Sequence, residues 1–458
     1  MTSTGGPGGG VADLGPLRDQ DERRGEQRAW YFYDWANSAF ATTVAGVLFG
    51  PYLAEVAGRA AVDDRISVLG LSIDPGALPP LVITASTVIA ALVLPILGAV
   101  ADRTARKKDL LAGFAWVGAA AAAVLFFMTG DNWQLGVVSF LVANFCFAAS
   151  AVFNDAILPL ISSPEERDAV SSRGWAMGYA GGGLLLALNF GVVTFPEALG
   201  LGTETAVRLS LLSAAIWWAA FTFIPWRGIR NRPPRDVEPV TGGAFSRSFG
   251  QLWRTLKELR RYPMALTFLV AYLFFNDGIQ TVISQASLYG TDELGFPLGT
   301  MLGIYLLVQF VAVGGAIGFG RLAGRHGAKR MILVGLVVWM AIVTAGMLIP
   351  AGQLLPLVLL GIAIGVVLGG TQALARSYFS LLIPAGKEAE FFSLYHAMDR
   401  GTSWLGTLVF ALVYQFSGSY RPAIFALIVF FVVGGLILTR VDTARGIREA
   451  GGTVPSHV

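Results

Sequence analysis

What most constrains this chain is an apolar stretch, free of charge, that recurs along its whole length. A helix needs about 20 residues to cross a hydrocarbon core of about 30 Å. Stretches of that kind cover 35–54, 75–101, 110–130, 132–154, 174–196, 209–226, 294–320 and 422–439. The segment 331–375 is too long for one crossing and breaks around Pro350, Ala351 and Gly352, so it reads as two helices. Two more segments, 262–291 and 391–420, have the length but carry charges inside. The total is twelve. The runs are long and do not alternate, which selects helices over the strands of a barrel. Of the 458 residues, 54% are hydrophobic and only 14% charged, against about 25% charged in soluble domains. Lipid must therefore cover part of the surface, and the expected fold is an all-α integral membrane protein.

Basic residues gather on alternate connections. One side holds Arg18, Arg23, Arg24 and Arg28, then Arg103, Arg106, Lys107 and Lys108, then Arg167, the basic stretches in 227–261 and 321–330, Lys387, and the arginines of 440–448. The other side shows Arg59, Arg65 and Arg421 among Asp63, Asp64, Asp74, Asp131, Glu197, Glu204, Asp292 and Glu293. The positive-inside rule then places both termini in the cytoplasm of a plasma-membrane protein. Residues 1–28 are Gly-rich and charged with no apolar stretch, so the first helix is expected to act as an uncleaved insertion signal. The single cysteine, Cys146, excludes an intrachain disulfide, and a net charge of +3 makes no case for nucleic acid.

The longest basic connection, 227–262, divides the chain. It opens with Arg232, Pro233, Pro234 and Arg235, then places Phe245, Phe249, Leu252, Trp253, Leu256 and Leu259 at helical spacing. With Arg247, Arg254, Lys257, Arg260 and Arg261 on the other face, this predicts an amphipathic helix in the headgroup plane. The expected organisation is a tail (1–28), six helices (29–226), the linker (227–262), six helices (263–441) and a second tail (442–458). The halves repeat. Gly98, Arg103 and Lys107 with Lys108 recur 222 positions later as Gly320, Arg325 and Lys329 with Arg330. At the same offset, Leu160, Ile161, Glu166 and Ser171 recur as Leu382, Ile383, Glu388 and Ser393. Internal duplication of this kind marks transporters whose solute site lies between the repeats.

Gly98, Asp102, Arg103, Arg106, Lys107 and Lys108 match the signature loop of the major facilitator superfamily, which the chain resembles. The second copy departs from it, with Gly324 in place of the acid. Tyr31 to Phe40, Ser171 to Gly174, Gly178 to Gly183, Phe275 to Gly278, Gly370 to Ser377 and Gly386 to Phe392 are similar to the vacuole-effluxer-like branch of that superfamily. The resemblance covers 29–441. It implies two pseudo-symmetric six-helix bundles, alternating-access transport, and amino acids as the solute class. It also implies that helices 1, 4, 7 and 10 line a central cavity, and that Gly98, Asp102, Arg103 and Arg106 latch one conformation, with Asp102 facing the N-terminus of a neighbouring helix.

An ionisable residue at the centre of a membrane helix costs at least about 2.5–3.5 kcal/mol, so each one is a candidate for the transport path. Asp277 stands near the middle of helix 7, and Asn276, Gln280, Thr281, Ser284 and Gln285 continue a polar stripe; it reads as a proton- or amine-binding carboxylate, or as an acid satisfied by a neighbouring helix. Asp34, with Asn37 and Ser38 one turn on, falls near the cytoplasmic end of helix 1 and reads either as pathway or as interface. On helix 11, His396, Asp399 and Ser403 share a face beside Arg400, as a proton relay would, or as charges neutralised for packing. On helix 10, Gln372 and Arg376 stand one turn apart; Arg376 could hold a solute carboxylate or snorkel to headgroups. Asn154 and Asp155, at the end of helix 4, are equally open. Gly174, Gly178 and Gly182 form a small-residue face for close packing.

These residues predict a proton-coupled secondary transporter of a small polar solute, monomeric and without a cofactor. Multidrug efflux is the second transport reading, and a membrane receptor or scaffold acting through the linker is the reading from another class. The chain has no P-loop, His-Glu-x-x-His or serine-elbow motif, which argues against ATP-driven or hydrolytic chemistry.

Overall fold

The structure is a computed structural model describing residues 20–68, 70–233, 257–401 and 404–455, without the side chains of residues 71, 400, 401 and 404. Helix α1 (Gln20–Arg59) runs for 40 residues, about 60 Å, and is π-helical over Phe40–Leu48. A short antiparallel hairpin follows, β1 (Ile66–Val68) on β2 (Leu71–Ile73). Then come α2 (Pro75–Asp102), α3 (Lys107–Phe127), α4 (Trp133–Ile161), α5 (Arg167–Thr194) and α6 (Thr203–Gly228). The second half comprises α7 (Pro263–Glu293), α8 (Leu298–His326), α9 (Ala328–Leu348) and α10 (Leu354–Leu381). Two shorter helices, Glu388–Gly401 and Trp404–Ser417, are together labelled α11. They precede α12 (Tyr420–Thr439) and a short α13 (Thr443–Glu449). With α11 counted, the described residues hold the twelve expected spans, eleven of them long and apolar enough to cross a membrane as single helices.

Several helices run past the charge-free stretches that announce them. The run 132–154 puts Asn154 and Asp155 at the end of their helix, yet α4 continues to Ile161. Asp34 is not near a helix end either, because α1 begins at Gln20. In both cases the acid is paired inside the protein, so charge does not mark the edge of the lipid. The amphipathic helix expected over 245–261 lies outside the described residues up to 256; beyond that, Leu259 is buried and Glu258 pairs with Lys387.

The halves meet along α2 with α11, α5 with α8 and α10, and α4 with α11. Their contacts repeat as the sequence does. A Cβ on Gly98 would lie 2.8 Å from the Ala389 carbonyl carbon and 2.9 Å from Ser393 Cβ, at the start of α11. One on its mate Gly320 would lie 2.5 Å from Ser172 Cβ, at the start of α5. The first described turn of α1 is tied to the α4–α5 loop by Arg23 and Glu166, and the end of α12 to the start of α9 by Lys329. Both described chain ends therefore lie on one face, called here the terminal face; the other is the far face.

Glycines within and between the halves should behave differently. A Cβ on Gly315 of α8 would sit 2.7 Å from Val366 Cα of α10, inside one half. Gly315→Ala is expected to lower the melting temperature in detergent, by overpacking worth about 1–3 kcal/mol. Gly98→Ala should leave melting close to the parent, since α2 and α11 can separate. Equal losses in the two variants would contradict this division.

Candidate functional site

At the centre of the interface Arg376 of α10 is 3% exposed. Its Nη1 donates to Asp34 Oδ1 at 3.3 Å and Asp155 Oδ1 at 3.1 Å, and its Nη2 to Asp34 Oδ2 at 3.0 Å. Nε donates to Ser171 Oγ at 2.9 Å and Nη2 to the Ser171 carbonyl at 2.9 Å. These five bonds match the five N–H donors of a guanidinium, and all of them go to α1, α4 and α5 of the other half. The rings of Trp30 and Trp175 lie 4.7 and 5.4 Å from its Cζ. Asp34 also accepts from Asn154 Nδ2 at 3.1 Å, and Asp155 Oδ2 faces His396 Nε2 of α11 at 2.9 Å.

The small-residue face of α5 makes this geometry possible. A Cβ on Gly174 would lie 2.5 Å from Asp34 Oδ2 and 2.9 Å from Arg376 Nη2, and one on Gly178 would lie 2.8 Å from Ser38 Oγ. Any larger residue would push α1 away from α10. Arg376 therefore neither snorkels to headgroups nor has a donor left for a solute carboxylate in this state. Its burial and its bonds to the other half exclude both readings here.

Toward the terminal face the halves are joined further. Ser171 Oγ donates to the Ala373 carbonyl at 2.8 Å, Ser377 Oγ to Asp168 at 2.6 Å, and Arg167 Nη1 to the Ser380 carbonyl at 2.8 Å. Asp102 accepts the Ala389 and Glu390 N–H groups at 3.0 and 2.8 Å, across the N-terminus of α11. Lys107 Nζ bridges Asp102 at 2.7 Å and Glu388 at 3.0 Å. Of the expected latch residues, Arg103 and Arg106 take no part in this contact: both are exposed, and Arg106 pairs with Asp109 on its own side at 2.9 Å. The polar bonds between the halves named above lie at Arg376 or between it and the terminal face.

Above this plug a cavity of about 1320 Å³ opens toward the far face. Its base carries Asp155, Arg376, Gln372, His396 and Asp399, and its walls rise past Ser38, Tyr179, Gln280 and Tyr305 to Glu55 and Leu298 at the rim. Asp399 accepts from Asn276 Nδ2 at 2.5 Å and from Tyr272 Oη at 3.3 Å, and Gln372 Nε2 donates to Asn276 Oδ1 at 2.8 Å. The polar residues of α7 divide. Gln280, Ser284 and Gln285 reach the cavity, whereas Asp277 and Thr281 turn toward α11, where Asp277 Oδ2 accepts from the Gly406 N–H at 2.7 Å. A step of about 100° per residue separates the two faces. Asn37 is buried beside Asp34 and joins none of the bonds between halves. The side chain of Arg400, and Ser403 as a whole, lie outside the described residues.

A family model described as Vacuole effluxer Atg22 like matches residues 22–451. The chain belongs to that family. It is 31% identical to the uncharacterized MFS-type transporter YxiO of Bacillus subtilis, over 94% of this chain and 98% of that protein. It is 24% identical to autophagy-related protein 22 of Kluyveromyces lactis, over 94% and 96%. Among solved structures it resembles the proton:xylose symporter XylE (TM-score 0.68, 11% identity, covering 93% and 97%) and a bacterial homologue of the iron transporter ferroportin in its outward-facing state (TM-score 0.64, 14% identity, covering 92% and 98%). The fold is that of the major facilitator superfamily, and the chain is a multi-pass membrane transporter rather than an enzyme.

Sequence reasoning named Asp34, Arg376 and His396 without joining them, and left Asp155 undecided. It missed Trp30, Trp175 and Asp168, and read Glu388 only as part of the repeat and of the family resemblance. Arg376→Gln should release the terminal face, because removing one partner of a buried pair costs about 3–5 kcal/mol. The measurement is labelling of Ser38→Cys by an impermeant maleimide from the far face, which should fall in that variant. Unchanged labelling would mean that Arg376 does not hold the face shut.

Proposed function

We propose that this protein moves a small polar solute, with amino acids the leading class, by alternating access between the two faces. The observation that carries the reading is the one-sided distribution of bonds between the halves. They close the terminal face, while the cavity stays open on the far side with charged and amide groups at its base. The family's description as vacuole effluxers supports efflux, and the excess of basic residues on the terminal face supports a cytoplasmic location for it. Transport then consists of breaking the Arg376, Asp102 and Lys107 bonds, exposing the base of the cavity to the cytoplasm, and remaking them.

Proton coupling through Asp277 is part of the proposal. Asp277 is 1% exposed, its Oδ1 has no hydrogen-bond partner, and no basic side chain pairs with it among the described residues. A buried carboxylate without a counter-charge is costly unless it takes up a proton. Thr281 Oγ1, one turn on, is likewise without a partner. The apolar upper wall, with Leu48, Leu298, Met301, Leu302 and Ile304, favours multidrug efflux as the second reading, in which the solute is amphipathic.

The test is reconstitution into liposomes with an imposed pH gradient and counterflow of amino acids. Accumulation of an amino acid that follows the gradient is expected. Asp277→Asn should keep counterflow yet lose gradient-driven accumulation. Unchanged pH dependence in that variant would remove Asp277 from the coupling, and amphipathic cations moving where amino acids do not would favour the second reading.

A further inference from the structure

Outside the transport path, a lateral groove of about 470 Å³ lies between α1 and α6 at their terminal-face ends. Gly25, Arg28 and Phe32 line it from α1, and Phe223, Ile224 and Arg227 from α6. Phe223 and Ile224 are 45% and 37% exposed, and nothing lies within 4 Å of where a Cβ of Gly25 would be. The groove is therefore an open slot with an apolar wall and two guanidinium groups at its mouth.

Among the described residues, those two arginines have no acid partner. The glutamates on this end of α1 are already engaged: Glu22 with Arg230 at 3.1 Å, and Glu26 with Arg232 and with the Arg230 N–H at 3.0 Å. Arg23 pairs with Glu166 at 3.3 Å. Arg28 and Arg227 are exposed, and neither makes an ion pair or side-chain hydrogen bond among the described residues. Their depth is informative as well. Arg227 stands 23 residues along α6 from Glu204, about 35 Å at 1.5 Å per residue. Glu204 bonds Arg59 on the far face, so Arg227 lies one membrane thickness away, at headgroup level. Trp226 beside it is half-buried, as aromatic residues at the interface are.

We propose that this groove binds one anionic glycerophospholipid of the terminal-face leaflet. The phosphate sits between Arg28 and Arg227, and an acyl chain lies along Phe32, Phe223 and Ile224. Basic pockets between transmembrane helices bind anionic headgroups for this reason, and guanidinium donors suit a phosphate geometrically. Because α1 carries Trp30 and Asp34 just beyond Arg28, a lipid bridging α1 and α6 braces the helix that supplies part of the central plug.

The experiment is native mass spectrometry of the full-length protein in neutral detergent, titrated with phosphatidylglycerol or phosphatidylcholine, with and without inorganic phosphate. Two arginines near the surface should favour the anionic lipid about 30-fold. The double variant Arg28→Gln/Arg227→Gln should bind both lipids alike, whereas Arg321→Gln/Arg325→Gln, on exposed arginines at the end of α8, should keep the preference. If the double variant does not fold, single Arg227→Gln must show a reduced preference and Arg28→Lys/Arg227→Lys must keep it. Equal binding of the two lipids by the parent protein, a preference that survives removal of the arginines, or full displacement by phosphate would each overturn the proposal.

Discussion

A guanidinium shared between two carboxylates on the opposite half of the protein organises everything else. Arg376 is buried and cannot give up its charge, so it must be met by acids, and both acids, Asp34 and Asp155, come from across the interface. That requirement brings α1, α4 and α5 against α10. It in turn demands glycine at Gly174, because any side chain there would occupy the space of Asp34 Oδ2. The rings of Trp30 and Trp175 flank the guanidinium. The interaction also sets the depth at which the cavity ends, since His396 and Asp155 form the cavity floor and belong to the same cluster.

A buried pair of this kind adds little net stability, because desolvation offsets most of its Coulomb attraction. Its effect lies in the difference between states. When the terminal face opens, the same groups meet water instead of one another, and the energy gap between the two arrangements can stay small. Two large terms that nearly cancel are what an alternating carrier requires, since a deep minimum on one side would stall it. The Asp102 contact follows the same logic: its carboxylate faces the positive end of α11, and Lys107 spans Asp102 and Glu388.

The fold was legible because membrane helices announce themselves by length and hydropathy, and because the repeat ties Gly98 to Gly320. Helix ends were less so. Reading stops at a charge, but Asp34 and Asp155 lie well inside α1 and α4, since their counter-charge sits on another helix far along the chain. Pairing across the halves leaves no local trace in the sequence. For the same reason Asp155 could not be joined to Arg376 and His396, although each was visible as a charge in an apolar setting. The turn of Asp277 away from the cavity was hidden for a different reason: its helix carries polar residues on two adjacent faces, and spacing alone does not say which one meets water.

The two faces are built from different interactions, and the repeat shows where they diverge. Gly98 and Gly320 make equivalent close contacts, but only the first copy has an acid to meet the N-terminus of the opposing helix; Gly324 stands where a second would be. Polar bonds between the halves accordingly hold the terminal face. At the far face the described polar bonds stay within each half, as with Arg59 and Glu204 or Arg421 and Glu293. The walls that would meet there carry Leu48, Leu298, Met301 and Leu302. Closing the far side would therefore remove apolar surface from cavity water, at about 25 cal/mol per Å², while closing the terminal side remakes ion pairs. One closure is sensitive to charge and the other to apolar area.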